Sequence, residues 1–165
     1  NGYGGLHYVN NSGRNDIITS KVATDKRDVY FYAETDQPLT PSTGKNWMLL
    51  LIDADHDSKT GWYGYDYLIN QEISGPHTTT LMSYDAPTGQ WKKVANLDYS
   101  YQGNQLEIRV PRKLLGLSSA GFTFDFHWCD NPKDLRDPIS LVRTGIALRT
   151  DDSTIDASGD REGFL

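Results

Sequence analysis

The amino-acid sequence predicts an all-β domain, an antiparallel β-sandwich with one short helical connector. Three observations carry this prediction. Short runs of alternating, β-branched and aromatic residues recur at intervals of about ten to fifteen residues. Clusters of Gly, Pro, Asn, Asp and Ser separate them, among them Pro41-Ser42-Thr43-Gly44, Ala86-Pro87-Thr88-Gly89 and Gln102-Gly103-Asn104. Only one segment carries helical start and stop signals: Pro111 suits a first helical position, and Gly116 closes the turn after Leu114 and Leu115.

Taken in order, the strand candidates are residues 16–23, 28–34, 46–53, 65–71, 78–84, 90–95, 105–110 and 121–129, with a weaker ninth at 139–143. Side chains two apart on a strand share a face. Leu106, Ile108 and Val110 therefore point inward, with Gln105, Glu107 and Arg109 outward. Phe122, Phe124, Phe126 and Trp128 share one face against Thr123, Asp125, His127 and Cys129, and solvation with turn formation is the expected fate of Asp125 and His127. Tyr65, Tyr67 and Ile69 are expected as core positions on one face. Two strands break the simple pattern. Segment 46–53 is apolar on both faces, and 28–34 sets Val29 and Phe31 against Tyr30 and Tyr32, so both are expected to be central and covered twice, with part of the second face a possible binding surface.

A length of 165 residues suits one domain spanning 1–165, with the polar tail 151–165 expected to be loosely held. The 16 basic against 22 acidic residues leave a net charge of −6, which argues against nucleic acid or an anionic membrane as partner. No apolar run approaches the roughly 20 residues of a membrane helix. The single cysteine, Cys129, sits in an aromatic run and is expected to be a buried core group.

The densest polar constellation is Asp53-Ala54-Asp55-His56-Asp57-Ser58-Lys59-Thr60-Gly61-Trp62. Alternate carboxylates in a tight loop suit a hard cation, and Asp66 adds a late one, so Asp53, Asp55, Asp57 and Asp66 are candidate ligands for structural Ca2+. The loop is not a helix–loop–helix calcium site, because Ser58 and Gly64 stand where glycine and glutamate belong. The competing reading is that these aspartates only cap turns. Next comes Gly61-Trp62-Tyr63-Gly64-Tyr65-Asp66-Tyr67. The apolar C–H face of a sugar ring stacks on flat aromatics while its hydroxyls seek amides and carboxylates. Trp62, Tyr63 and Trp91, with Asp66 and Asn70 orienting hydroxyls, are accordingly the candidate ligand-binding residues. No hydrolase, metalloprotease or phosphate-loop motif is present, and no carboxylate pair is marked out for glycosidase chemistry.

The segments Gly13-Arg14-Asn15-Asp16-Ile17, Asp28-Val29-Tyr30-Phe31-Tyr32-Ala33-Glu34-Thr35 and Asn46-Trp47-Met48-Leu49-Leu50-Leu51-Ile52-Asp53-Ala54-Asp55 belong to one series. Thr60-Gly61-Trp62 with Gly64-Tyr65-Asp66, then Leu106-Glu107-Ile108-Arg109-Val110-Pro111-Arg112 and 124–131, continue it. Together they resemble the family 9 carbohydrate-binding-module-like β-sandwiches over about 13–131. The resemblance implies a jelly-roll-like sandwich, accessory to secreted polysaccharide-degrading bacterial proteins, with structural calcium in some members. It implies a secreted, periplasmic or cell-surface location and a catalytic domain of the same parent as partner. It also implies a terminal sugar held between two tryptophans, for which Trp47, Trp62, Trp91 and Trp128 are the candidates. The expected function is non-catalytic binding of a sugar or polysaccharide end. The alternatives are a structural accessory domain of a glycoside hydrolase, or a small glycosidase.

Overall fold

A computed structural model describes residues 13–43, 45–117 and 121–132 in full, and the backbone of 2–3, 6–7 and 153–156. Its strands are β1 (Gly2–Tyr3), β2 (Leu6–His7), β3 (Ile17–Thr24), β4 (Asp28–Thr35), β5 (Leu49–Asp53) and β6 (Tyr67–Gly75). They continue as β7 (Thr78–Asp85), β8 (Gln90–Gln102), β9 (Gln105–Pro111), β10 (Thr123–Cys129) and β11 (Ser153–Asp156), with one 3-10 turn at Arg112–Leu115. Among the described residues β1 and β2 pair with each other, and the other nine strands form one antiparallel sheet in the order β11-β10-β5-β6-β7-β8-β9-β4-β3. The candidate strand at 139–143 lies outside the described residues, and of the tail 151–165 only β11 is described.

This sheet folds over on itself. β8 is the corner, because its thirteen residues serve both halves: Gln90–Asp98 pair with β7 and Asp98–Gln102 pair with β9. A bulge opposite Leu81 and Met82 inserts Val94, and such an insertion bends and twists a strand. The two halves then meet face to face. Phe31 of β4 packs edge-on against Phe124 and Phe126 of β10, with ring centroids 5.8 and 5.4 Å apart, although these strands lie far apart in the sheet order. The result is a β-sandwich whose core takes Val29, Phe31 and Ala33 from β4, Leu106, Ile108 and Val110 from β9, and Phe124, Phe126 and Trp128 from β10.

Several expectations need correction. Residues 46–48 do not join β5, because Asn46 and Met48 take positive φ (63° and 44°) and the Met48 amide donates to Asp130 Oδ1 at 3.0 Å. Tyr65 precedes β6 and lies on the opposite side of the sheet from Ile69. Pro111 ends β9, and the turn starts at Arg112, closed by Gly116 at φ 72°. β5 is indeed buried on both faces. β4 is not, since Tyr30, Tyr32 and Glu34 remain half-exposed. Asp125 is not a solvated group either: it is buried, and its Oδ2 lies 2.7 Å from His56 Nδ1. Cys129 is buried as expected. No helix among the described residues is long and apolar enough to cross a membrane.

Candidate functional site

The site grows from the β5–β6 connection, residues 54–66. Asp55 begins it by accepting from the Asp57 amide at 2.9 Å and from Thr60 Oγ1 at 3.1 Å, and Asp57 Oδ1 in turn accepts from the Lys59 amide at 2.9 Å. Such side-chain to backbone bonds are what make aspartate a turn former. The chain then doubles back through a two-residue hairpin: Trp62 N donates to Tyr65 O (2.7 Å) and Tyr65 N to Trp62 O (3.0 Å). Tyr63 and Gly64 both take positive φ, 50° and 93°, the pattern of a type I′ turn. Gly61 is required here. It also sits at positive φ, and a Cβ on it would lie 2.3 Å from Tyr65 O.

This hairpin lays the loop across the outer face of the sheet. Trp62 and Tyr65 pack on Leu49, Leu51, Leu68 and Cys129, with Met82, Tyr84 and Trp91 around them. A second, smaller core therefore forms outside the sandwich, which explains why β5 is apolar on both faces. Trp62 is only 6% exposed, whereas Tyr63, thrown outward by the turn, is 50% exposed. The ring of Trp91 lies 6.2 Å from Trp62 and 5.2 Å from Tyr84, and Tyr63 meets Trp62 edge-on at 4.9 Å. Gly61, Trp62, Tyr63, Tyr84 and Gly89 line a depression of about 350 Å³.

Three of the sequence-predicted aromatics, Trp62, Tyr63 and Trp91, are thus brought together, though Trp62 offers little surface. Tyr84 is an addition. Its signal lay in the hairpin register, which sets Tyr84 directly opposite Trp91 across the Ala86-Pro87-Thr88-Gly89 turn. Asp85 anchors that turn with Lys92, 2.6 Å away, and with the Thr88 hydroxyl; these two partners hold its carboxyl below the ordinary range. Asn70 does not belong to the site. It is fully buried, and its Nδ2 donates to Met48 O at 2.8 Å, which ties β6 to the irregular entry of β5.

Beneath the loop lies the acidic group. One carboxylate oxygen each of Asp53, Asp55 and Asp66 fall within 4.8 Å of one another, Asp53 being buried, Asp66 intermediate and Asp55 exposed. Asp57 stands outside this group, its Oδ1 turned to the Lys59 amide. Asp66 Oδ2 accepts from Ala54 N at 2.9 Å. Burial raises the Asp66 carboxyl above the ordinary range, and the neighbouring Asp55 and Asp53 charges add to the shift. The loop is pinned further by the His56–Asp125 pair, in which a half-exposed imidazole reaches a carboxylate buried on β10.

Comparison with protein-family models, curated proteins and solved structures returned no match, so function is argued from the site itself.

Proposed function

We propose that this domain binds carbohydrate without catalysing a reaction, holding a single sugar unit or chain end in the depression between the β5–β6 hairpin and the β7–β8 turn. The observation that carries this reading is the meeting of Tyr63 and Tyr84 with buried Trp62 at a concavity of about 350 Å³, with Trp91 packed against Trp62 and Tyr84. That volume lies at the small end of the range of ligand pockets, about 300 to 1,000 Å³. Aromatic faces stack on the C–H face of a pyranose, whereas Asp66 belongs to the acidic group beneath the loop and does not line the depression. The resemblance to family 9 modules supports the further reading that the parent is a secreted or cell-surface polysaccharide-degrading protein, with its catalytic domain as neighbour.

We also propose structural calcium at Asp53, Asp55 and Asp66. An all-oxygen donor set with one fully buried member fits a hard divalent cation, whose charge would offset the mutual repulsion of the three carboxylates. Added calcium should raise the unfolding midpoint of wild type and leave that of Asp55→Asn unchanged. No rise in wild type would reject the metal.

Affinity electrophoresis through gels containing neutral polysaccharides tests the sugar reading. At least one polysaccharide should retard the wild type, and Tyr63→Ala should remove the retardation while keeping the wild-type urea midpoint; Trp91→Ala, which also loosens the packing on Trp62 and Tyr84, should remove it as well. Retardation that survives both substitutions, or a panel with none, would defeat it.

A further inference from the structure

A second depression lies elsewhere on the sandwich. Roughly 20 Å of β8 separate Trp91 from Asp98, which is paired in register with Arg109. In a chain of net charge −6, Lys26 and Arg27 of the β3–β4 turn, Arg109 of β9, and Arg112 and Lys113 of the 3-10 turn converge on a cavity of about 560 Å³. Pro111 and Leu117 give it an apolar wall, and Asp28 is its one acid among the described lining residues.

The acids nearby, Asp25, Asp28 and Asp98, are fewer than the five cations they face. Asp25 Oδ1 is taken by the Arg27 and Asp28 amides, at 2.7 Å each, and its Oδ2 by the Tyr30 hydroxyl at 3.1 Å. Asp98 pairs with Arg109 alone. Lys26, Arg27 and Lys113 are exposed and form no ion pair among the described residues. Arg112, by contrast, is fixed in place. Its Nε donates to Leu117 O at 3.0 Å, its Nη1 to Asp25 O at 3.1 Å, and its guanidinium lies 4.4 Å over the Phe122 ring. A held guanidinium with exposed cations around it suits a carboxylate or sulfate group, because the guanidinium is already ordered and the like charges repel until an anion arrives.

A neighbouring aromatic points to a sugar as the bearer of that group. Tyr30 stands on the half-exposed outer face of β4 as the register partner of Arg109, whereas the Tyr32 ring already lies under Lys21 Nζ at 5.5 Å. We propose that this cavity binds the carboxylate or sulfate of an anionic saccharide whose ring lies against Tyr30. The saccharide half of the proposal rests on the sugar-binding reading given above; the anion half does not.

The test uses gels containing polygalacturonate or dextran sulfate, with mobility normalised to a blank gel, beside an amide chemical-shift titration with sodium sulfate. Wild type should be retarded at least about twofold by an acidic polymer at low salt, and progressively less as sodium chloride screens the contact. Arg27→Gln/Lys113→Gln should run as in the blank gel. Trp91→Ala should remain retarded, which keeps failure at the aromatic depression distinct from failure here. Equal retardation of the double variant, or none of wild type by either polymer, overturns the proposal. Sulfate-induced shifts at Arg27 and Lys113 without retardation by either polymer overturn the saccharide assignment and mark the cavity as a site for free oxyanions.

Discussion

Trp62→Ala separates packing from recognition at the aromatic depression. Trp62 is 6% exposed and rests on Leu49, Leu51, Leu68 and Cys129. A buried tryptophan removes about 200 Å² from water, which at about 25 cal/mol per Å² gives about 5 kcal/mol as an upper bound. A compact unfolded chain lowers this by about 10–40%, leaving about 3 to 4.5 kcal/mol, within the usual range for such truncations. The loop has little freedom to close the gap. Asp66 N donates to Ile52 O and Tyr84 N to Asp66 O, both at 2.9 Å, and these bonds fix its return to the sheet. Urea unfolding followed by far-UV circular dichroism should show that loss with an unchanged m-value, whereas Tyr63→Ala should change stability by less than about 0.5 kcal/mol. A loss below about 1 kcal/mol for Trp62→Ala would mean that the hairpin is not seated on the sheet, and the depression would lose its floor.

Phe31→Ala removes the ring that joins the two halves of the sandwich, and urea unfolding should register about 3 to 5 kcal/mol; under about 1 kcal/mol would contradict the interlayer contact with Phe124 and Phe126. Gly61→Ala should cost at least about 2 kcal/mol by the same measurement, because both its positive φ and the 2.3 Å approach to Tyr65 O oppose a Cβ. Asp25 supplies a pH test. Amides of Arg27 and then Asp28 hold its carboxyl below its ordinary value. A depressed folded-state value contributes stability above the ordinary carboxylate range and loses it as pH falls through the folded value. Asp25→Ala should therefore be less stable than wild type at neutral pH, and the two should converge in acid; a gap that stays constant across that range would show that the turn does not depend on the charge.

The fold was legible wherever one physical rule acted alone. Alternation places Leu106, Ile108 and Val110 in the core because nothing interrupts β9. In β8 the inserted Val94 reverses the parity, so the alternating Leu97, Tyr99 and Tyr101 fall out of step with Trp91, and the second half of the strand escapes a period-two reading. The acidic loop was legible as a turn, and Asp53, Asp55 and Asp66 as members of a group of four, from which the structure removes Asp57 because its Oδ1 turns to the Lys59 amide. What residue spacing could not show is which face the loop would cover. Asp125 has the pattern of a solvated strand residue, yet it is buried, because a loop about seventy residues earlier in the chain crosses β10 and sets His56 against it. Asn70 likewise reads as a polar strand residue, and only the irregular path at Met48 reveals the carbonyl its amide must satisfy.

The doubly apolar β5 links these points to function. A strand buried on one face needs nothing over its other side, but Leu49 and Leu51 do, and Trp62 with Tyr65 provides the cover. That cover fixes the hairpin, and the hairpin's type I′ geometry projects the next side chain, Tyr63, into solvent at the depression it shares with Tyr84. Burial of Trp62 and exposure of Tyr63 are therefore one structural event. The aromatic surface is held by a core of its own, so under the proposed function a ligand stacking there would meet side chains whose positions are largely fixed before it binds. On the sugar-binding reading proposed above, loosening that small core through Gly61→Ala or Trp62→Ala should weaken retardation by polysaccharide.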